Sequence, residues 1–476
     1  MIVALPPDPM ASARARIADC RRLQEAGLIN LAGEFYPSVH YPPITMYTAM
    51  TEEQLLAGYR LPEDGLFDVY AHIPFCHRRC VFCHYPVKLG PQEEEKDRYL
   101  DAMEKEIDIY RRLLGLDRVR VRSILVGGGT PSHLTPRQLA RFLEYFLARL
   151  DVSRCRQFNY DVDPATLVGP EGLERLRIMR SHGVDRLTLG VQSLDDEILK
   201  LMNRPHDARV ALEAIENCKA LGYQVNIEFI FGHPGETLQN WMDVMERAVT
   251  LGVDEIQLYR LKVEAYGDYQ GPIKQLREIR PESFPSNDET LMMKQLAIDI
   301  LAAHGYRETL RRVFARDPKH YSRYAHNQCC MLYDQLGLGL TAFSSLRDRF
   351  GLNTPRFDEY YAAIDAGRLP LNRGLIRSPE QQMRWAIILS LKNRDVRKDL
   401  FQKRTGVALE TVFRGKIEKL KNGGLLAEDQ RTLSLTPLGE FFADEVAEQF
   451  CHPDYLPFPR SAYADGPLNP YQDCEP

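Results

Sequence analysis

The sequence has no run of about eighteen apolar residues, the length a helix needs to cross a bilayer, so no membrane span is expected. It has no excess of basic charge either. A net charge of −5 over 476 residues has the wrong sign for the electrostatic footprint of a nucleic-acid binder, and no nucleic-acid partner is expected. The stretch MIVALPPDPMASARAR lacks a charged region ahead of its short apolar run and lacks a long apolar core, so no secretory leader is expected. Cysteine is too sparse for a disulfide scaffold: ten residues over this length fit a reducing cytoplasm, where clustered cysteines serve metals or catalysis. What is present is ordinary for a globular protein. Hydrophobic residues make up 44% and charged residues 27%, which supplies a core and leaves room for several domains or one large barrel with appendages.

Residues 1–62 read as an N-terminal arm. FYPSVHYPPITMY carries three prolines among aromatics, and proline fixes φ and removes a donor, so an extended segment lying on a larger body is expected. From 63 to 275 short apolar runs alternate with segments of helical period. The pattern predicts strands at 67–75, 122–129, 157–164, 185–193, 224–232 and 254–263, with helices at 93–114, 136–149, 170–181, 207–221 and 237–251. One helix after each strand argues for a parallel sheet, here an α/β partial (β/α)6 barrel of the TIM type. In such a barrel the chemistry sits behind the C-terminal ends of the strands. The unusual residues fall there: three cysteines after the first strand, GGGTP after the second, DVDP at the third, VQS at the fourth and GHPG after the fifth. Residues 276–375 form a mixed connecting segment on the substrate side, preceded by turn-rich YGDYQGPIK and containing a helix near 286–304 and QLGLGLTAFSSL at 335–346. Residues 376–455 read as a C-terminal helical domain ending in a short hairpin, a winged-helix-like arrangement without a basic recognition helix. Residues 456–476 are a tail rich in proline and tyrosine.

The stretch YAHIPFCHRRCVFCHYPV places Cys76, Cys80 and Cys83 in a CxxxCxxC spacing. Zinc sites usually close with four ligands drawn from two knuckles, and no second knuckle follows, although His77 or His84 could supply a fourth ligand. An iron–sulfur cluster held by three thiolates fits better, since three protein ligands leave one iron of a [4Fe–4S] cluster open to another molecule.

CxxxCxxC directly after a first barrel strand resembles the radical S-adenosylmethionine (SAM) superfamily. YAHIPFC, GGGTPS, GVQSLDDEILKLMNR and HPGET together resemble its branch containing oxygen-independent coproporphyrinogen III oxidase, from about residue 67 to about 450. The resemblance implies a [4Fe–4S] cluster on Cys76, Cys80 and Cys83, at least one SAM whose amino and carboxylate groups chelate the open iron, and a 5′-deoxyadenosyl radical that removes hydrogen from a substrate. It implies SAM contacts at Tyr70, at Gly128, Gly129 and Thr130, and at Asp161, where the family carries glutamate. It implies contacts to a second SAM at Phe82, Gln192, Arg204 and Glu228, the last standing where the family has aspartate. Phe343 approximates a further SAM contact. Asp163 reads as a turn residue before Pro164, and Cys329 and Cys330 read as core. RETLRRVFARDPKHYSRY concentrates arginines, first as a solvated face and second as a surface for an acidic substrate.

The oxidase pattern has a fourth cysteine where this chain has Tyr85. With the second-SAM positions largely kept, the resemblance leads first to methyl or methylene transfer (methylation or cyclopropanation) onto a planar unsaturated substrate, aromatic or tetrapyrrole-like. Oxidative decarboxylation of coproporphyrinogen III stands second and a haem chaperone third. A flavodoxin or ferredoxin is the implied electron donor, and a cytoplasmic location is expected from the cysteine usage.

Overall fold

The computed structural model describes residues 8–30, 40–263 and 272–456. Much of the proline-rich arm, the first part of YGDYQGPIK and nearly all of the tail lie outside the described residues.

The N-terminal segment is more regular than its prolines suggest. Helix α1 (Pro9–Glu25) starts at Asp8, whose carboxylate accepts from the Ala11 amide, with Pro9 in the first helical position where a missing N–H costs nothing. Its apolar stripe is narrow, with Ala13, Cys20 and Leu23 buried among arginines, and so leaves little periodic signal.

Six parallel strands follow: β1 (Leu66–Ile73), β2 (Val119–Gly128), β3 (Phe158–Val162), β4 (Arg186–Gln192), β5 (Gln224–Phe231) and β6 (Glu255–Arg260). They hydrogen-bond in chain order. Helices α2 (Glu93–Leu114), α3 (Pro136–Ala148), α4 (Gly169–Ser181), α5 (Ala208–Ala220) and α6 (Leu238–Thr250) return the chain between them. Local chemistry marks the helix ends. A capping box of Thr135 and Gln138 with Pro136 opens α3, and Gly115, at φ 65°, closes α2. Both faces of the strands are covered, so their side chains are almost continuously buried, as parallel sheets require.

The sheet does not stop at six strands. Helix α7 (Asn287–Ala303) docks on α6 through the buried Trp241, whose Nε1 donates to the Met293 carbonyl at 2.8 Å. The chain then forms a hairpin of β7 (Arg307–Leu310) and β8 (Val313–Ala315), with β8 antiparallel to β6. At the other edge β9 (Gln335–Leu338) runs parallel to β1, and β10 (Phe343–Leu346), β11 (Arg349–Asn353) and β12 (Leu371–Ile376) extend the sheet antiparallel. Including two short strands, one sheet of 14 strands runs through both the barrel and the segment the sequence presents as a connection.

The C-terminal domain comprises α8 (Pro379–Asn393), β13 (Asp395–Arg397), α9 (Leu409–Asn422), β14 (Leu426–Glu428), β15 (Thr432–Leu435) and α10 (Ala443–Glu448). Its wing has three strands, in the order β13–β15–β14. Its core, built on Trp385, Phe401, Phe413 and Phe450, also takes in Leu23, Leu28, Ile29, Tyr41, Ile44 and Tyr47 from the N-terminal segment. No helix among the described residues is long and apolar enough to cross a membrane.

Candidate functional site

The parallel strands aim their C-terminal ends into one crater, a cavity of about 400 Å³. Cys76, Cys80 and Cys83 all line it. Their loop is tied where it begins and ends, because Phe75–Cys76 pairs in parallel with Lys88–Leu89. Its middle is tied too: the Val81 amide donates to the Met202 carbonyl at 3.2 Å, and Asn203 Nδ2 donates to the Arg79 carbonyl at 2.8 Å. Phe82 packs with Met202, Ile230 and Leu261 and also faces the cavity.

Among the described residues no three His, Cys, Asp or Glu side chains converge on a single ion. A cluster takes each thiolate on a separate iron and needs three spaced thiols on one loop, which this site provides. The histidines are engaged elsewhere: His84 Nε2 lies 3.1 Å from the Lys262 carbonyl oxygen, and the His77 ring lies 4.1 Å from that of His133. Burial pushes the Cys76 thiol up to about 12 and raises Cys83 as well. Cationic irons would hold both as thiolates.

The glycines after β2 permit close approach. A Cβ on Gly129 would stand 2.9 Å from Cys76 Sγ, and one on Gly127 would stand 2.6 Å from Asp161 Oδ2. Gly128 has φ 121°, and its Cβ would meet the Ile73 backbone at 2.9 Å. The Gly129 and Thr130 amides donate to the carbonyls of Ile73 and Phe75 at 2.9 and 2.8 Å, and Thr130 Oγ1 lies 3.4 Å from Cys76 Sγ. The segment thus seals the first cysteine against the barrel.

Arg204 bridges the loop and the strands. It donates to Cys80 Sγ at 3.0 Å, to Asp163 Oδ2 at 2.6 Å and to the Gly190 carbonyl at 2.7 Å. Asp163 is therefore more than a turn residue, although its Oδ1 also accepts from the Ala165 amide at 2.9 Å. Burial alone would raise its carboxyl, but Arg204 and then His206 outweigh that and hold it down at about 2. Gln192 sits at φ 69° at the end of β4, where the pairing with β5 shifts register. Gln192 Oε1 and Arg204 Nε are buried without a hydrogen-bond partner among the described residues. Buried polar atoms of this kind call for a ligand.

Across the cavity lie two further carboxyls. Burial pushes Asp161 up to about 6, and burial with the charge of Asp161 pushes Glu228 up to about 8. Asn159 Nδ2 donates to Asp161 at 3.0 Å, and Tyr259 Oη lies 3.3 Å from Glu228. Neither carboxyl is held down by a cation, since burial outweighs the more distant arginines at both. The donor set therefore suits a ligand with a cationic centre beside a carboxylate, and SAM has both. Asp161 and Glu228 would face its cationic groups, and Arg204 with Gln192 its polar ends.

Cys76, Cys80, Cys83, Phe82, Gly128, Gly129, Thr130, Asp161, Gln192, Arg204 and Glu228 thus line one cavity. Tyr70 lies behind Gly127, its hydroxyl 2.9 Å from His72 Nδ1. Phe343 does not join the site. It packs 4.5 Å from the His40 ring and 6.2 Å from Phe350, because β10 lies beyond β9, outside the six barrel strands. Sequence reasoning missed Tyr259, Arg260 and Lys262, which line the cavity at the end of β6. The rule that strand ends carry function, applied once more, would have found them. Cys329 and Cys330 lie in a small core with Leu310, Val313 and Tyr321.

Residues 70–248 match the radical SAM superfamily and residues 378–442 match the HemN C-terminal domain. The chain is 29% identical over 376 residues to oxygen-independent coproporphyrinogen III oxidase of Escherichia coli, covering 76% of this chain and 79% of that protein. It is 25% identical over 387 residues to the heme chaperone HemW of Bacillus subtilis, covering 80% and 98%. The fold matches the solved structure of the Escherichia coli oxidase, HemN, with a TM-score of 0.73 at 24% identity, covering 87% of this chain and 96% of that one.

Proposed function

We propose that this chain, a radical SAM enzyme of the coproporphyrinogen-oxidase-like branch, carries out oxidative decarboxylation of propionate side chains on a reduced tetrapyrrole. Transfer of a SAM-derived carbon, the first reading of the sequence, has no support among these relatives, and the oxidase reading replaces it. The observation that carries the proposal is the lining of the cavity. Alongside the three thiols it holds Arg78, Arg79 and Arg260, guanidinium groups suited to a substrate with several carboxylates.

Bound together, the cluster and SAM supply a carbon radical that removes a hydrogen atom from an unactivated C–H bond. The chain's own residues do the rest. The cysteine loop fixes the thiols, Arg204 ties that loop to Asp163 and β4, and Asp161 with Glu228 orients the cationic end of SAM. A propionate that has lost a hydrogen atom from the carbon next to the ring leaves as carbon dioxide and a vinyl group once one more electron departs to an acceptor. A flavodoxin or ferredoxin would deliver the electron that starts the cycle. Whether a second SAM binds belongs to the same proposal: Phe82 and Gln192 lie in the cavity beside the positions for the first.

The test is an anaerobic assay of the reconstituted protein with SAM, dithionite and coproporphyrinogen III. Carbon dioxide and a vinyl product formed with 5′-deoxyadenosine, and no S-adenosylhomocysteine, are expected. S-adenosylhomocysteine in step with product would overturn the reading. The chaperone reading has one favouring observation, the likeness to HemW over 98% of that protein. Stoichiometric haem binding without substrate turnover would select it.

A further inference from the structure

A second cavity, of about 80 Å³, lies between the β7–β8 hairpin and the C-terminal domain. Arg260 and Lys262 line both this cavity and the large one, so the two share a wall at the end of β6. Its volume suits a single carboxylate group rather than a whole ring system.

The hairpin tip is built to fill this space with charge. Arg311 and Arg312 form the turn, and Arg312 has φ 65°, a left-handed conformation uncommon for a residue with a long side chain. Its backbone is held there, because the Arg312 carbonyl accepts from the Leu258 amide at 2.9 Å and its amide donates to Glu308 Oε1 at 2.5 Å. The Arg311 amide donates to the Asn393 carbonyl of α8 at 2.9 Å. Leu310 pairs with Val313, and a two-residue turn of this kind uses positive φ, so the hairpin fixes the position of both arginines.

Both guanidinium groups reach one carboxylate, Asp444 at the start of α10. Arg311 and Arg312 both donate to Asp444 Oδ2, and Lys392 Nζ lies 3.7 Å from Oδ1. Oδ1 accepts no hydrogen bond from the described residues. Two guanidinium groups thus converge on one carboxylate, with the amines of Lys392, Lys262 and Lys294 nearby. Burial, and then Arg311 and Arg312, push Lys262 and Lys392 well below the ordinary lysine range. Glu308, Glu440 and Glu445 also line the cavity, and burial raises Glu308 and pushes Glu440 up to about 7, so the cations that keep their charge there are the guanidinium groups of Arg260, Arg311 and Arg312.

We infer that this cluster is a carboxylate-binding subsite, and that Asp444 occupies it as an internal surrogate for a side-chain carboxylate of the substrate. The inference rests on the proposed function. A tetrapyrrole that offers one propionate to the large cavity carries others at its edge, and one of them would reach across the shared wall. Arg311 and Arg312 would then exchange Asp444 for the substrate carboxylate, as bidentate donors can. In this arrangement the C-terminal domain acts as a cover, with α10 closing the subsite while no substrate is present.

The experiment uses the full-length reconstituted protein and a stable probe, coproporphyrin III, as free acid and as tetramethyl ester, followed by fluorescence titration. A subsite predicts responses of opposite sign. Asp444→Asn removes the competitor and is expected to tighten binding of the free acid about fivefold. Arg312→Gln is expected to weaken it about tenfold, equivalent to about 1.4 kcal/mol. The ester should respond to neither. Melting temperatures recorded alongside identify a variant that has simply lost its fold, in which case Arg312→Lys, which keeps charge but not the fork, replaces it with the same sign expected. If both substitutions shift affinity in the same direction, or the ester responds as the acid does, the cluster is a structural clamp and the inference falls. It falls as well if neither form of the probe binds. Decarboxylation of coproporphyrinogen III with a KM indifferent to Arg312→Gln would sink the subsite and leave the proposed function standing. Opposite-sign binding without decarboxylation would do the reverse.

Discussion

The lower and upper halves of the barrel treat buried polar groups in opposite ways. Low in the barrel, Arg186 donates to both oxygens of Glu255 at 2.9 and 2.5 Å and to Asn159 Oδ1 at 2.7 Å. Asp68 accepts from Ser123, and from Asn327 and Gln328 at 2.9 and 3.0 Å. These groups meet their needs within the chain. At the upper end, Gln192 Oε1 and Arg204 Nε, both lining the cavity, have no partner among the described residues. A satisfied network stabilises one conformation, whereas an unsatisfied one costs stability until a ligand completes it. The difference separates residues kept for the fold from residues kept for a ligand.

The hardest test of that division is on the loop. Cys83→Ala should lower bound iron and sulfide to background and reduce 5′-deoxyadenosine formation by at least about a thousandfold, because two thiolates do not hold a cluster that three hold. Far-ultraviolet circular dichroism should not change, since the loop is tied by its backbone. A variant that kept its cluster would place the site elsewhere.

Arg186→Met probes the other half. Removing one partner of a buried ion pair costs about 3–5 kcal/mol of stability, measured by urea unfolding. The double variant with Glu255→Met should recover most of that loss. If the double variant were as unstable as the single, the pair would not be a self-contained unit.

The smallest effect sharpens the comparison. With Asp161 pushed up to about 6 and Glu228 to about 8, both carry protons when the pH is low. A carboxyl must shed its proton before it attracts a cation. Affinity for SAM should therefore rise as the pH climbs, by at most tenfold per unit for each carboxyl still protonated, and level off above about 8. Glu228→Gln should remove the upper part of that rise. Calorimetric titration between pH 6 and 9 reads both, and a flat profile in the unmodified protein would leave the two carboxyls without a cation to orient.

Much of this was legible in the sequence. The six central strands and five helices fall within three residues of the expected ends, because parallel strands read as short apolar runs and glycines punctuate them. The cysteines, the glycine segment, Arg204 and Glu228 meet in one cavity as the motifs suggest. Other features left no readable trace. Strand β9 has only four residues, too few for any period. Phe343 had the right residue type on a strand outside the barrel. Arg311 and Arg312 belonged to a run that composition favours as a solvated face, and only the pairing of β7 with β8 turns two of its members inward. The role of Asp163 depends on Arg204, 41 residues later, a contact no local rule supplies.

The mixed ancestry of the C-terminal core bears on how the protein is made. Leu23, Leu28 and Tyr47 share that core with Trp385, Phe413 and Phe450, and the Gly27 carbonyl accepts from Lys419 Nζ at 2.8 Å. These N-terminal side chains leave the ribosome hundreds of residues before their partners exist. Throughout synthesis of the barrel they are exposed apolar surface, open to chaperones and to aggregation. Expression of a chain truncated before residue 378 would make that exposure permanent, so the barrel is a poor candidate for production on its own.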